Sequence, residues 1–130
     1  MRKTLISAVV AAVTLSTGIA LAAGHLTGGV KEMSTSAGSI LVGKNGMTLY
    51  TFDKDMAGKS NCDGGCAKAW PPLMAGDYAK DHEMLTVITR SDGSKQWAYK
   101  GAPLYYWQGD KKAGDVTGNN FKNVWHVVKP

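Results

Sequence analysis

The sequence predicts a small all-β single domain built from two tandem copies of one hairpin-and-meander unit, related by a pseudo-two-fold. Two observations predict it. The first is a duplication at a period of 55 residues, in register and without a gap. Ser36-Ala37-Gly38-Ser39 aligns with Ser91-Asp92-Gly93-Ser94, and Gly46-Met47-Thr48-Leu49-Tyr50 aligns with Gly101-Ala102-Pro103-Leu104-Tyr105. Asp55 falls on Asp110 and Trp70 on Trp125. Matches concentrated at glycine, aromatic and aspartate positions mark a repeated structural unit rather than shared composition. The second observation is strand-like alternation inside each copy, interrupted by turn residues.

Each element follows in order. Ser39-Ile40-Leu41-Val42 reads as a short strand, Lys44-Asn45-Gly46 supplies an Asn-Gly turn, and residues 47–52 alternate as a return strand. The second copy repeats this with Gln96-Trp97-Ala98-Tyr99, a turn at Lys100-Gly101, and Leu104-Tyr105-Tyr106-Trp107. Residues 85–89 match residues 30–34 at the same offset, and residues 124–128 form a third strand carrying Trp125. Only residues 67–70 and 77–84 leave room for helical turns. Repeat one covers about residues 30–75 and repeat two about 85–130. Neither copy can bury its apolar face alone, so both are expected to share one core.

The N-terminus carries a different signal. Arg2 and Lys3 precede an uncharged apolar and small-residue run from residue 5 to 23, which contains Ala20-Leu21-Ala22. A positive start, an apolar run and a small-x-small site predict a signal peptide at residues 1–22 and a mature domain at 23–130. Losing Arg2 and Lys3 lowers the formal charge from +5 to +3. Beyond them Lys111-Lys112 is the only adjacent basic pair, and no basic stripe interleaves with aromatics. Nucleic acid is therefore not an expected partner. No cysteine follows the predicted cut, so no lipid anchor is expected. A monomeric protein of the periplasm or secreted space follows.

Cys62 and Cys66 are the only cysteines and enclose Asp63-Gly64-Gly65. In an oxidising compartment a disulfide is the simplest state, and a loop this short contributes about 2 kcal/mol. Metal thiolates and redox catalysis are the alternatives, although the spacing is not Cys-x-x-Cys.

After the second strand of each copy comes the same motif. It reads Tyr50-Thr51-Phe52-Asp53-Lys54-Asp55, then Tyr105-Tyr106-Trp107-Gln108-Gly109-Asp110. On a strand the tyrosine and the aromatic two places later share a face, here expected to be the core face. The aspartate falls at the strand end, where its carboxylate accepts backbone N–H groups of the following turn. The clusters Asp53/Asp55 and Asp110/Asp115 also admit a hard cation, but Asp53-x-Asp55-x-x-Gly58 lacks the closing bidentate Glu.

With both motif copies, Cys62 and Cys66 leading to Trp70-Pro71-Pro72, and Tyr99-Lys100-Gly101 running into Pro103-Leu104-Tyr105, the chain resembles a known family. That family is the bacterial secreted-repeat predicted lipoproteins with the Tyr-x-(Phe/Trp/Tyr)-x-x-Asp motif. The resemblance covers nearly the whole mature chain and implies an extracytoplasmic address and a duplicated β unit. It implies little about activity, the family being known as one of unknown function. Many relatives carry a lipidated cysteine that this chain lacks.

No Gly-x-Ser-x-Gly elbow, His-Glu-x-x-His or phosphate-cradling loop is present. The expected function is a non-catalytic exported binding or interaction module, with an extracytoplasmic protein or small ligand as partner. The alternative is an enzyme in which the repeat-related Asp55 and Asp110 share a proton. No cofactor is expected except copper(II). Cleavage after Ala22 exposes Ala23-Gly24-His25, whose α-amine, two backbone amides and imidazole suit the square-planar preference of that ion. The large aromatics Trp70, Trp97, Trp107 and Trp125 are expected mainly in the core. His126 is expected on the face opposite Trp125.

Overall fold

The computed structural model describes residues 29–130, so the predicted signal peptide and Ala23-Gly24-His25 lie outside the described residues. Strands β1 (Lys31–Thr35) and β2 (Gly38–Val42) form an antiparallel hairpin. A short third strand, β3 (Tyr50–Phe52), follows, then the helix α1 (Gly65–Ala69). Repeat two supplies β4 (Leu85–Thr89), β5 (Lys95–Tyr99) and β6 (Ala102–Pro103), which pair antiparallel in that order. A 3-10 turn at Phe121–Asn123 leads into β7 (Trp125–Val127). The protein is all-β, as the duplicated pattern predicts. Residues 77–84, which left room for helical turns, form no helix; they make two short turns, at 77–78 and 83–84, with His82 bridged to Leu85 across the second.

The two repeats are interwoven rather than placed side by side. Strand β7, from the end of repeat two, pairs with β3 of repeat one, with Tyr50 opposite Val127 and Phe52 opposite Trp125. The reciprocal pairing joins Tyr105 to Pro72, with Tyr106 N–H donating to the Pro71 carbonyl at 2.7 Å and Gln108 N–H to that of Ala69 at 2.9 Å. There the expected strand at residues 104–107 is reduced to bridges. The reason is local: its partner segment carries Pro71 and Pro72, which have no N–H to donate to a ladder. Repeat two has His126 and Val127 at those positions, and a full strand results.

Strand alternation sorts neighbouring residues into two cores. Leu41, Leu49, Leu104 and Val128 enter an aliphatic cluster with Val30, Leu73, Leu85, Trp97 and Tyr99. Their immediate neighbours Val42, Tyr50, Tyr105 and Val127 enter an aromatic cluster with Ile40, Cys62, Trp70 and Trp125. The central strands are thus buried on both faces. The sequence-based expectation of one shared core is corrected accordingly.

The gapless 55-residue period also slips across one strand. Leu49 N–H donates to Leu41, but its counterpart Leu104 donates to Trp97, one residue past the counterpart of Leu41. Met33 faces Ile40, whereas Ile88 faces Gln96 rather than Lys95. A one-residue slip changes which side chain faces which layer. It places Gln96 where repeat one has the buried Ile40, and Gln96 is itself fully buried.

Candidate functional site

At the pseudo-two-fold, Tyr50 and Tyr105 face each other and exchange both backbone hydrogen bonds, at 2.8 and 3.0 Å. Their phenols then cross over. The Tyr50 hydroxyl donates to Asp110 Oδ2 at 2.7 Å, and the Tyr105 hydroxyl donates to Asp55 Oδ2 at 2.6 Å. The tyrosine of each repeat is therefore bound to the motif aspartate of the other. Both aspartates end equivalent turns: Asp55 N–H donates to the Phe52 carbonyl and Asp110 N–H to that of Trp107. Their second oxygens accept from the loop that follows. Asp55 Oδ1 takes Asn61 N–H at 2.6 Å, and Asp110 Oδ1 takes the N–H and hydroxyl of Thr117 at 2.9 and 2.6 Å.

Burial, reinforced by the facing carboxylates, pushes ionisation of both phenols well above the usual tyrosine range. Burial also raises the Asp55 carboxyl above its ordinary value, against the opposing pull of its two hydrogen bonds and of Arg90.

Against the two tyrosines packs a column of rings. Trp70 and Trp125 stack face to face with centroids 3.8 Å apart and planes parallel to 1°. Phe52 stacks on Trp125 at 4.2 Å, and Trp107 on Trp70 at 4.1 Å. Tyr50 meets Trp70 edge-on and Tyr105 meets Trp125 edge-on, both favourable aromatic geometries. The inner pair is buried, while Phe52 and Trp107 are half-buried at the ends. Gly118 lies against Trp70 and Trp107 so closely that a Cβ there would stand 2.9 and 3.0 Å from them. Its N–H donates to the Tyr50 hydroxyl at 3.1 Å.

Around Asp55 a polar network joins side chains of both repeats. Arg90, only 6% exposed, donates to Ser60 Oγ at 3.0 Å, to Gln96 Oε1 at 2.8 Å and to the Cys62 carbonyl at 2.7 Å. Ser60 Oγ lies 2.6 Å from the Tyr105 oxygen. Because Tyr105 donates to Asp55, the Ser60 hydroxyl must donate to Tyr105. A directed chain results, Arg90 to Ser60 to Tyr105 to Asp55, from cation to carboxylate. Gln96 completes its own needs by donating to the Leu104 carbonyl at 2.8 Å. Sequence reading missed Arg90, Ser60 and Gln96. The available signal was Gln96, a polar residue inside the run Gln96-Trp97-Ala98-Tyr99.

The other expected residues are placed as follows. Cys62 and Cys66 are disulfide-bonded, tying the loop before α1 to its first turn. Asp115 accepts the N–H groups of Lys111 and Lys112, a turn-closing role. Asp53 lies 2.8 Å from His126 Nε2, and His126, partly exposed, also meets Asn120. Among the described residues no group of three or more His, Cys, Asp or Glu side chains is placed to hold a metal ion. A groove of about 420 Å³ is lined by Gly29, Lys44, Pro72, Leu73, Met74 and Tyr106.

These paired repeats match a family model twice, at residues 31–74 and 86–129. The chain belongs to that family, Lipoprotein_15, described as a secreted repeat of unknown function. It is thus a member of a secreted family with two tandem copies of the repeat. No curated protein and no solved structure matches the chain.

Proposed function

We propose that the protein is a non-catalytic binding or interaction module of the extracytoplasmic space. The observation that carries this reading is the crossed Tyr–Asp pairing. Each carboxylate is committed to its own turn and to one buried phenol, and the two have no partner in common. A proton-sharing acid pair needs its carboxylates side by side. The groove beside Tyr106 and Met74, with Lys44 among its lining residues, is the concave surface on which we place the ligand.

The test is to remove each carboxylate. Asp55→Ala and Asp110→Ala should each lower stability by about 2 kcal/mol, because each leaves a buried phenol and a backbone N–H without an acceptor. Asp110→Ala should be the worse, since Asp110 is 7% exposed and accepts from three donors. Urea unfolding reads both. An unchanged midpoint in either variant would overturn the structural role and return the aspartates to the catalytic alternative.

Copper(II) binding belongs to the same proposal and rests on Ala23-Gly24-His25, outside the described residues. Titrating the exported protein with copper(II) should give a square-planar spectrum that weakens as pH falls, because amide protons must leave. His25→Ala should abolish the spectrum without changing the unfolding midpoint. A spectrum that survives that substitution would move the site elsewhere.

A further inference from the structure

We propose that Trp107, Trp70 and Tyr50, with Asp110 as proton acceptor, form a one-electron relay that delivers reducing equivalents from the core to an oxidant at the surface. The substrate class is a one-electron oxidant, such as an organic radical or a high-valent metal centre on a partner. Three observations carry the proposal. The first is contact: Trp107 stacks on Trp70 at 4.1 Å, and Tyr50 meets Trp70 edge-on at 5.4 Å. Indoles and phenols are among the most readily oxidised side chains, and here they touch in sequence from a half-buried ring to a fully buried one.

The second observation is the proton path. Oxidising a phenol without removing its proton gives a strongly acidic cation, which a buried site cannot hold. Tyr50 donates its hydroxyl to a carboxylate oxygen of Asp110 2.7 Å away, so an acceptor for the proton is already in place. Packing of the ring alone does not require a hydroxyl there, since a phenylalanine would fill its place. The third observation is an asymmetry between the repeats. The column ends in Phe52 on one side and in Trp107 on the other, so only one end presents an easily oxidised ring.

The step balances as follows. The oxidant takes one electron from the Trp107 indole, which is refilled from Trp70, and Trp70 is refilled from Tyr50. As its electron leaves, the Tyr50 phenolic proton moves to Asp110 Oδ2. The oxidant is reduced by one electron, Tyr50 becomes a neutral tyrosyl radical, and Asp110 becomes a carboxylic acid. A hydrogen-atom donor of the thiol or ascorbate class returns the electron through the same rings. The proton then goes back from Asp110 to Tyr50, and the donor's own proton is released to water. Tyr105, edge-on to Trp125 and bonded to Asp55, offers a second terminus of the same kind.

The experiment is photochemical oxidation of the folded protein by flash-generated tris(bipyridine)ruthenium(III), read by freeze-quench electron paramagnetic resonance. Wild type should give a neutral tyrosyl radical. Tyr78→Phe controls for direct attack on the surface, because Tyr78 is 94% exposed. Trp107→Phe tests the entry ring and should fold, since Phe52 fills the pseudo-equivalent place in repeat one. The expected result is a tyrosyl signal retained in Tyr78→Phe and reduced in Trp107→Phe. In Tyr50→Phe the signal should shrink to the part that Tyr105 carries. A signal that vanishes with Tyr78→Phe, or that is unchanged in Trp107→Phe, overturns the relay.

Discussion

Trp70→Ala should remove about 3–5 kcal/mol of stability, the range for deleting a large buried aromatic. Single domains carry only about 5–15 kcal/mol in total, so this variant is expected to sit near its unfolding threshold at room temperature. The size of the effect follows from position. Trp70 is 4% exposed, stacks on both Trp125 and Trp107, and takes the edges of Tyr50 and Phe121. Its loss opens a cavity in the middle of the column, where rings held from both repeats cannot close in together. Trp107→Phe, at the half-buried end, should cost less than about 1.5 kcal/mol, because it approaches the ring already used at Phe52. Urea midpoints at constant slope measure both. A Trp70→Ala loss below about 1 kcal/mol would show that the column is not the centre of the fold.

Much of this fold was legible because the duplication was. The Asn-Gly and Lys-Gly turns, the hairpins around them and the strand bearing Trp125 follow from local pattern. The crossing of the repeats was not legible. Alternation says that Tyr50 points into a core, but not that its hydroxyl reaches the aspartate of the other copy. The backbone N–H bonds foreseen for Asp55 and Asp110 are made, yet they use only one oxygen of each carboxylate. The slip at β5 was hidden for a different reason. The β4–β5 turn is longer by one residue and the β5–β6 connection shorter by one, so the aligned sequence shows no gap. The shift surfaces only when pairing partners are compared. Arg90 escaped notice because a charged residue at a strand end normally faces water. Here the slip turns Gln96 inward, and the guanidinium follows to satisfy it.

The Arg90 network gives the second large effect, and its sign with pH can be worked out. Arg90→Leu should cost about 3 kcal/mol at pH 7, since it leaves Gln96 Oε1 and the Cys62 carbonyl without their buried donor. A further part of the cost passes through Asp55. The folded Asp55 carboxyl lies above its ordinary value, with burial the main cause and Arg90 opposing it. For a raised carboxyl the native state binds more protons, so its full stability is present below the ordinary carboxylate value. That stability falls as pH rises through the folded value. Without Arg90 the folded value moves higher still, and the loss on ionisation grows. The cost of Arg90→Leu should therefore be smaller at pH 4 than at pH 7. It should also shrink at pH 7 in an Asp55→Asn background, where nothing ionises. Asp63 also meets Arg90, at 3.2 Å, but its side chain is half exposed, so Asp63→Asn should change little. A double-mutant cycle of Arg90→Leu with Asp55→Asn at both pH values separates the charge coupling from the lost hydrogen bonds. Equal costs in both backgrounds and at both pH values would mean that Arg90 acts through its hydrogen bonds and packing alone. The directed chain from Arg90 to Asp55 would then carry no charge coupling.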